Sequence, residues 1–142
     1  MRLTTDPRRV VVGVDGSPNS YAALARAARE AERRRARLEV YLASPAAANP
    51  VGRFAAWLRL RGSVAERLPA AQHVTTRLHV VSGDPVTVLV EAARNAELLV
   101  VGAGSCSGSG GPLSGAVVPR LVSGAPCEIV ICSGRAVSGD RG

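Results

Sequence analysis

The sequence has no lysine; all 18 of its basic side chains are arginine. It therefore lacks the GxxxxGK[ST] element, which excludes ordinary P-loop NTPase chemistry, and the GxGxxG dinucleotide fingerprint is missing after the first apolar run. Aromatic residues are scarce, with one Trp, one Phe and two Tyr. None is interleaved with the arginines to stack bases, and no zinc-finger or RRM signature appears, so dedicated nucleic-acid binding is the disfavoured reading of the charge. Cysteine is limited to Cys106, Cys127 and Cys132. An odd number without a framework suggests a reducing compartment, and no spacing fits a zinc site. Cys127 and Cys132 stand five apart, so on one strand they point to opposite faces. Cys106 lies in a Gly-rich loop and is expected to be an inert thiol. No apolar run approaches the roughly 20 residues of a membrane span. The opening MRLTTDPRR lacks the apolar stretch of a signal peptide. A cytoplasmic protein with no membrane association is the expectation.

What is present is enough for a core. The 142 residues are 46% hydrophobic, and Val, Leu and Ala must supply the interior. That length predicts a single domain, residues 1–134, followed by a mobile tail over 135–142. The net charge of +7 attracts nucleotides or acidic surfaces.

RVVVGVDGS (9–17) is a continuous apolar run closed by turn residues, as in a strand buried on both faces of a parallel sheet. SPNSYAALARAAREAERRRARL follows as a helix. Ser17 or Ser20 can cap it, and Pro18 suits its first position. Ala22, Leu24, Ala25, Ala28 and Ala31 mark a small-residue face, and Arg29, Arg33, Arg34 and Arg35 a solvated end. Residues 37–44 read as a second strand, 53–68 as a second helix weakened at Gly62, and 73–83 as a third strand. Asp84 and Pro85 open a third helix over 84–96. A fourth strand, ELLVVGAG, a short helix near 118–124 and a last strand over 127–133 complete the chain. Alternating strands and helices predict an α/β fold: a five-stranded parallel sheet, Rossmann-like and doubly wound, with helices on both faces. Ligands of such sheets bind beyond the strands' carboxyl ends, where strand order reverses. The loops after the first and fourth strands are the candidates.

The fourth strand runs into GAGSCSGSGGPLSGAVV. Closely spaced glycines let backbone N–H groups turn towards an anion, and a following helix N-terminus adds partial positive charge. Pro119 fits the first position of that helix, which leaves the amides of Gly115, Ala116 and Val117 free to point at a ligand. A plain Gly/Ser connection is the other reading. No nucleophile-plus-base pair is visible, and His73 and His79 read as structural.

Three stretches carry a resemblance. VVVGVDGSPNSYAALARAA, SGDPVTVLVEAARNAELLVVG and VPRLVSGAPCEIVIC occur in the order and at the spacing of the universal stress protein family, which the sequence resembles over nearly its whole length. The resemblance implies an adenine-nucleotide alpha-hydrolase-like fold and a homodimer, often through the last strand, here CEIVICS. It implies binding of ATP or AMP, with Mg²⁺ a possible companion, in a cleft between the loops after strands one and four. Asp15 matches the acidic residue that approaches the ribose or metal, with Gly16 and Ser17 completing its turn. Ala43 matches a position whose backbone meets adenine. The family's nucleotide-binding pattern is Gly, two residues, Gly, nine residues, then Gly and Ser or Thr. Gly102 and Gly115 keep it; Ser105 and Ala116 depart. Ser105 costs about 1 kcal/mol if its φ must be positive. Ala116 removes a hydrogen bond worth roughly 1.5–3 kcal/mol to a charged acceptor, or one to two decades of affinity.

Two functions follow: a nucleotide-binding stress-response protein with at most slow, incidental ATP hydrolysis, or a non-binding member acting through dimerisation and protein partners. An Arg-dependent contact with nucleic acid or an anionic surface is a weaker third.

Overall fold

The computed structural model describes residues 8–15, 18–68, 75–102 and 127–132. The apolar runs form strands: β1 (Arg9–Val14), β2 (Arg37–Ala43), β3 (Thr76–Val81), β4 (Leu98–Gly102) and β5 (Glu128–Cys132). They pair in parallel as one five-stranded sheet in the order β3-β2-β1-β4-β5. β1 and β4 are central and covered on both faces, which is why VVVGV and LLVVG are continuous instead of alternating. The chain steps outward from β1 to β3, then returns to the other side of β1. Strand order therefore reverses between β1 and β4.

Three helices connect the strands: α1 (Pro18–Arg34), α2 (Pro50–Arg67) and α3 (Pro85–Ala93). α1 buries Ser20, Ala23, Leu24, Ala27 and Ala31, a stripe at i, i+3, i+4 and i+7. This corrects the expected face, because Ala22, Ala25 and Ala28 are only half-buried. Ser20 is also no cap. It sits inside the helix, where its hydroxyl accepts the Asp15 N–H at 3.2 Å. Pro18 opens the helix as expected. At the other end Arg35 takes a left-handed φ of 56°, and the Ala36 N–H returns to the Ala31 carbonyl at 2.8 Å. These bonds satisfy the last turn and stop the helix.

α2 begins earlier than the sequence suggests. Pro45–Ala48 forms a 3-10 turn, and Asn49 caps α2 by accepting the Gly52 N–H at 2.8 Å, with Pro50 just inside. Gly62 does not interrupt it. α3 keeps its expected start. Asp84 Oδ2 accepts the Thr87 N–H at 3.0 Å and Pro85 follows. The helix stops at Ala93, ahead of Asn95 with its φ of 68°.

The layers separate cleanly. α1 and α2 pack on one face of the sheet with Val10, Val12, Leu38 and Val40. α3 packs on the other with Val11, Leu99 and Val101. Cys127 joins the second cluster and Cys132 the first, so these free thiols face opposite sides of the sheet. Among the described residues no helix is long and apolar enough to cross a membrane. The expected helix near 118–124, the tail over 135–142 and Cys106 lie outside the described residues.

Candidate functional site

The site is built where strand order reverses. Asp15 follows the last residue of β1, Gly102 is the last residue of β4, and Ala43 is the last residue of β2. β1 pairs with both neighbours, so these three positions stand side by side at the carboxyl edge of the sheet. Gly16, Ser17, Ser105, Gly115, Ala116, Val117 and His73 lie outside the described residues.

Local chemistry fixes the three. The half-buried Asp15 donates its backbone N–H to Ser20, which ties the end of β1 to the first turn of α1. Gly102 is buried against that same turn. A Cβ there would stand 2.6 Å from the Asn19 carbonyl carbon and oxygen and 2.7 Å from the Ser20 nitrogen. Only glycine lets β4 end so close to the start of α1. Beside Ala43, Ser44 donates its N–H to the Val81 carbonyl at 2.9 Å, so the end of β2 is anchored to β3.

A shallow recess, open to solvent, lies at this edge on the α3 side. Gly13 and Val14 of β1 and Tyr41 and Ala43 of β2 form its floor; Pro85, Val88 and Leu89 of α3 form its wall. Its lining is apolar apart from the Tyr41 hydroxyl and the strand-end backbone. The space it encloses is about that of a single water, with Asp15 next along the chain from Val14. Sequence reasoning placed Asp15, Ala43 and Gly102 at this edge but nothing from α3. The missed signal was Asp84–Pro85, which starts α3 at the mouth of the recess. Gly13 was missed as well. A Cβ on it would stand 2.7 Å from Leu89 Cδ1, so its bareness is what seats the wall of α3 on the floor.

Beneath the recess the same face of the sheet carries a charged cluster. Glu39 of β2 is 5% exposed. It accepts from Arg9 Nη2 at 3.4 Å and from Arg37 Nε at 3.0 Å. Burial pushes the Glu39 carboxyl up, but the hydrogen bond and charge of Arg9, with His79 and Arg37, outweigh it and hold the group below the usual carboxylate range. His79 stacks on Tyr41, ring centroids 4.3 Å apart. Its Nε2 is buried 3.4 Å from Glu39 Oε1 and makes no hydrogen bond. Burial pushes the His79 pKa down against the pull of Glu39, and Arg77 and Arg9 push the same way. The cluster joins β1, β2 and β3 below the recess and fixes the Tyr41 ring that forms part of its floor. Among the described residues no group of three or more His, Cys, Asp or Glu side chains could hold a metal ion.

This architecture has known counterparts. A universal stress protein solved in complex with cAMP is 32% identical, with a TM-score of 0.69 over 92% of this chain and 99% of that one. A universal stress protein from Lactobacillus plantarum shares the fold at 20% identity, TM-score 0.69, over 91% of this chain and 99% of that one. Another, from Archaeoglobus fulgidus and solved in complex with dAMP, shares it at 18% identity, TM-score 0.67, over 88% and 97%. Residues 7–133 match the model of the universal stress protein family. The chain belongs to the universal stress protein family.

Proposed function

We propose that this protein binds an adenine nucleotide at the carboxyl edge of β1, β2 and β4 and acts as a stress-response protein whose state the nucleotide sets. The observation that carries the reading is the meeting of Asp15, Ala43 and Gly102 at the carboxyl edge of the sheet, where strand order reverses. The adenine ring lies against the apolar surface of Gly13, Ala43 and Val88. Asp15 then offers a carboxylate to the ribose hydroxyls. The phosphates point towards Gly102 at the end of β4, and the glycine-rich sequence that follows can supply backbone N–H donors to their charge. The 32%-identical relative solved with cAMP supports the base class. Any Mg²⁺ would be held mainly through the nucleotide's phosphates. The role is binding and not turnover, with hydrolysis at most incidental.

In the same reading the protein is a cytoplasmic homodimer joined through β5. That strand is the sheet edge next to β4, and Ile131 on it is 41% exposed. An open apolar edge strand is a template for pairing with a second copy.

Ser105 and Ala116 favour a second reading, in which nucleotide affinity has been lost and the protein acts through dimerisation and partners. Calorimetric titration of ATP with Mg²⁺, AMP and cAMP separates the two. Binding that Asp15→Ala abolishes supports the nucleotide role. No heat from the unaltered chain, with binding restored in Ala116→Ser, supports the decayed site. The hydroxyl should otherwise tighten ATP roughly tenfold to a hundredfold.

A further inference from the structure

The solvent side of α2 carries an apolar stripe. Val51 is 79% exposed, Phe54 61% and Leu58 45%. Ala55, Gly62 and Ala65, also exposed, continue the same face at helical spacing. α2 meets the rest of the fold on its opposite side, through Ala56, Leu60 and Val64. Among the described residues the stripe is therefore surplus to the core. Phe54 lies nearly parallel to Trp57, centroids 6.3 Å apart, and Arg61 sits 5.7 Å above the Trp57 ring, so the anchor end of the stripe is pre-ordered.

Gly62 is the informative residue. It lies in the interior of an 18-residue helix, where glycine is a poor helix former. A Cβ there would meet nothing within 4 Å, so no contact among the described residues requires glycine. A bare backbone beside Leu58 and Ala65 instead allows a second helix to approach closely.

Charge selects the occupant. Arg59 and Arg61 flank the stripe on its two sides, with Glu66 the acidic residue beside it, whereas Arg53 turns back to the Ala47 carbonyl and Arg67 lies over the Tyr21 ring. Among the described residues Arg59, Arg61 and Glu66 enter no ion pair. On α1, by contrast, Arg26, Arg33 and Arg34 are matched by Glu30. From these observations we infer that the outer face of α2 is a docking surface for an acidic amphipathic helix of a partner protein. The partner's apolar side lies along Val51, Phe54 and Leu58, its backbone passes over Gly62, and its flanking carboxylates face Arg59 and Arg61. An anionic membrane would favour bulky anchors throughout, and here the stripe narrows to Ala and Gly at its C-terminal half. The surface lies on the α1 side of the sheet and owes nothing to the nucleotide recess on the α3 side.

The test is fluorescence anisotropy of a labelled designed helix, with Leu along one face and Glu on its flanks, titrated with the full protein. Saturable binding is expected, weakened by salt, and absent for the same helix with Lys in place of Glu. Phe54→Ser should weaken it at least tenfold. Gly62→Leu should also weaken it at least tenfold while raising the melting temperature, a combination that a purely structural role for Gly62 does not produce. Three results overturn the inference: no binding of the acidic helix by the folded protein, equal binding of the Lys helix, or Gly62→Leu binding as tightly as the unaltered chain. Two controls identify the alternative occupant in that event. Binding to phosphatidylserine vesicles but not to the peptide assigns the face to a membrane. Self-association abolished by Phe54→Ser, with no peptide binding, assigns it to a second copy.

Discussion

Gly102 at the end of β4 and Asn19 in the first turn of α1 are in contact so close that a Cβ on Gly102 would stand 2.6 Å from the Asn19 carbonyl. The obstacle is backbone, so it cannot rotate away as a flexible side chain would. Gly102→Ala must push α1 off the end of β4. The expected cost is about 1–3 kcal/mol, as for an overpacked core, read as a lower midpoint in urea denaturation. Nucleotide affinity should fall with it, because the same displacement moves Asp15 through its hydrogen bond to Ser20.

Acid should destabilise the protein in two windows. His79 has a pKa depressed by burial, so its neutral form is favoured in the fold. Its contribution is fully present above the unfolded value of about 6.5 and is lost as pH falls from there towards the lower folded value. The carboxyl of Glu39 is held below its usual value once Arg9 outweighs burial. Its contribution is present above the unfolded value and disappears as pH falls through the folded one. Stability measured from pH 8 to pH 3 should therefore decline first just below neutrality and again in the carboxylate range. His79→Gln should flatten the first decline and leave the second. A profile unchanged by His79→Gln contradicts the assignment.

Gly62 gives a prediction of the opposite sign. With open space where its Cβ would go, Gly62→Ala should stabilise the protein by roughly 0.5–1 kcal/mol through helix propensity alone. Thermal unfolding reads this directly. A destabilised Gly62→Ala would mean that glycine answers a need inside this chain.

The proposed homodimer is tested at Ile131, the exposed apolar residue of β5. Ile131→Arg should convert a dimer to a monomer by light scattering, with the circular dichroism of the fold retained. A dimer that persists in this variant moves the interface elsewhere.

The strands and most helix starts were legible because the physics behind them is local. β1 and β4 are continuous apolar runs only because both faces are covered, and Asp84–Pro85 announces α3 by capping alone. The start of α2 was misjudged because Asn49 and Pro50 lie in a run that reads as loop until Asn49 is seen to cap the helix. The packing face of α1 was displaced because Ala appears on every side of that helix, so composition could not mark the stripe. At the site, Asp15, Ala43 and Gly102 were readable as strand ends. The α3 wall was not, because contacts of Val88 and Leu89 with Gly13 and Ala43 depend on how the layers stack. The charged cluster was equally hidden, since Glu39 within RLEVYLA gives no sign that Arg9 and His79 arrive from neighbouring strands.

The most direct measurement of the central claim is a ¹H–¹⁵N correlation spectrum of the labelled protein titrated with AMP and with ATP. Binding as proposed shifts the amides of Gly13, Val14, Ala43 and Val88, which border the recess, together with Asp15 and Gly102. Amides on the outer face of α2 stay in place. Saturating nucleotide that leaves Gly13, Ala43 and Val88 unmoved, or that shifts residues remote from the strand ends, would contradict the account.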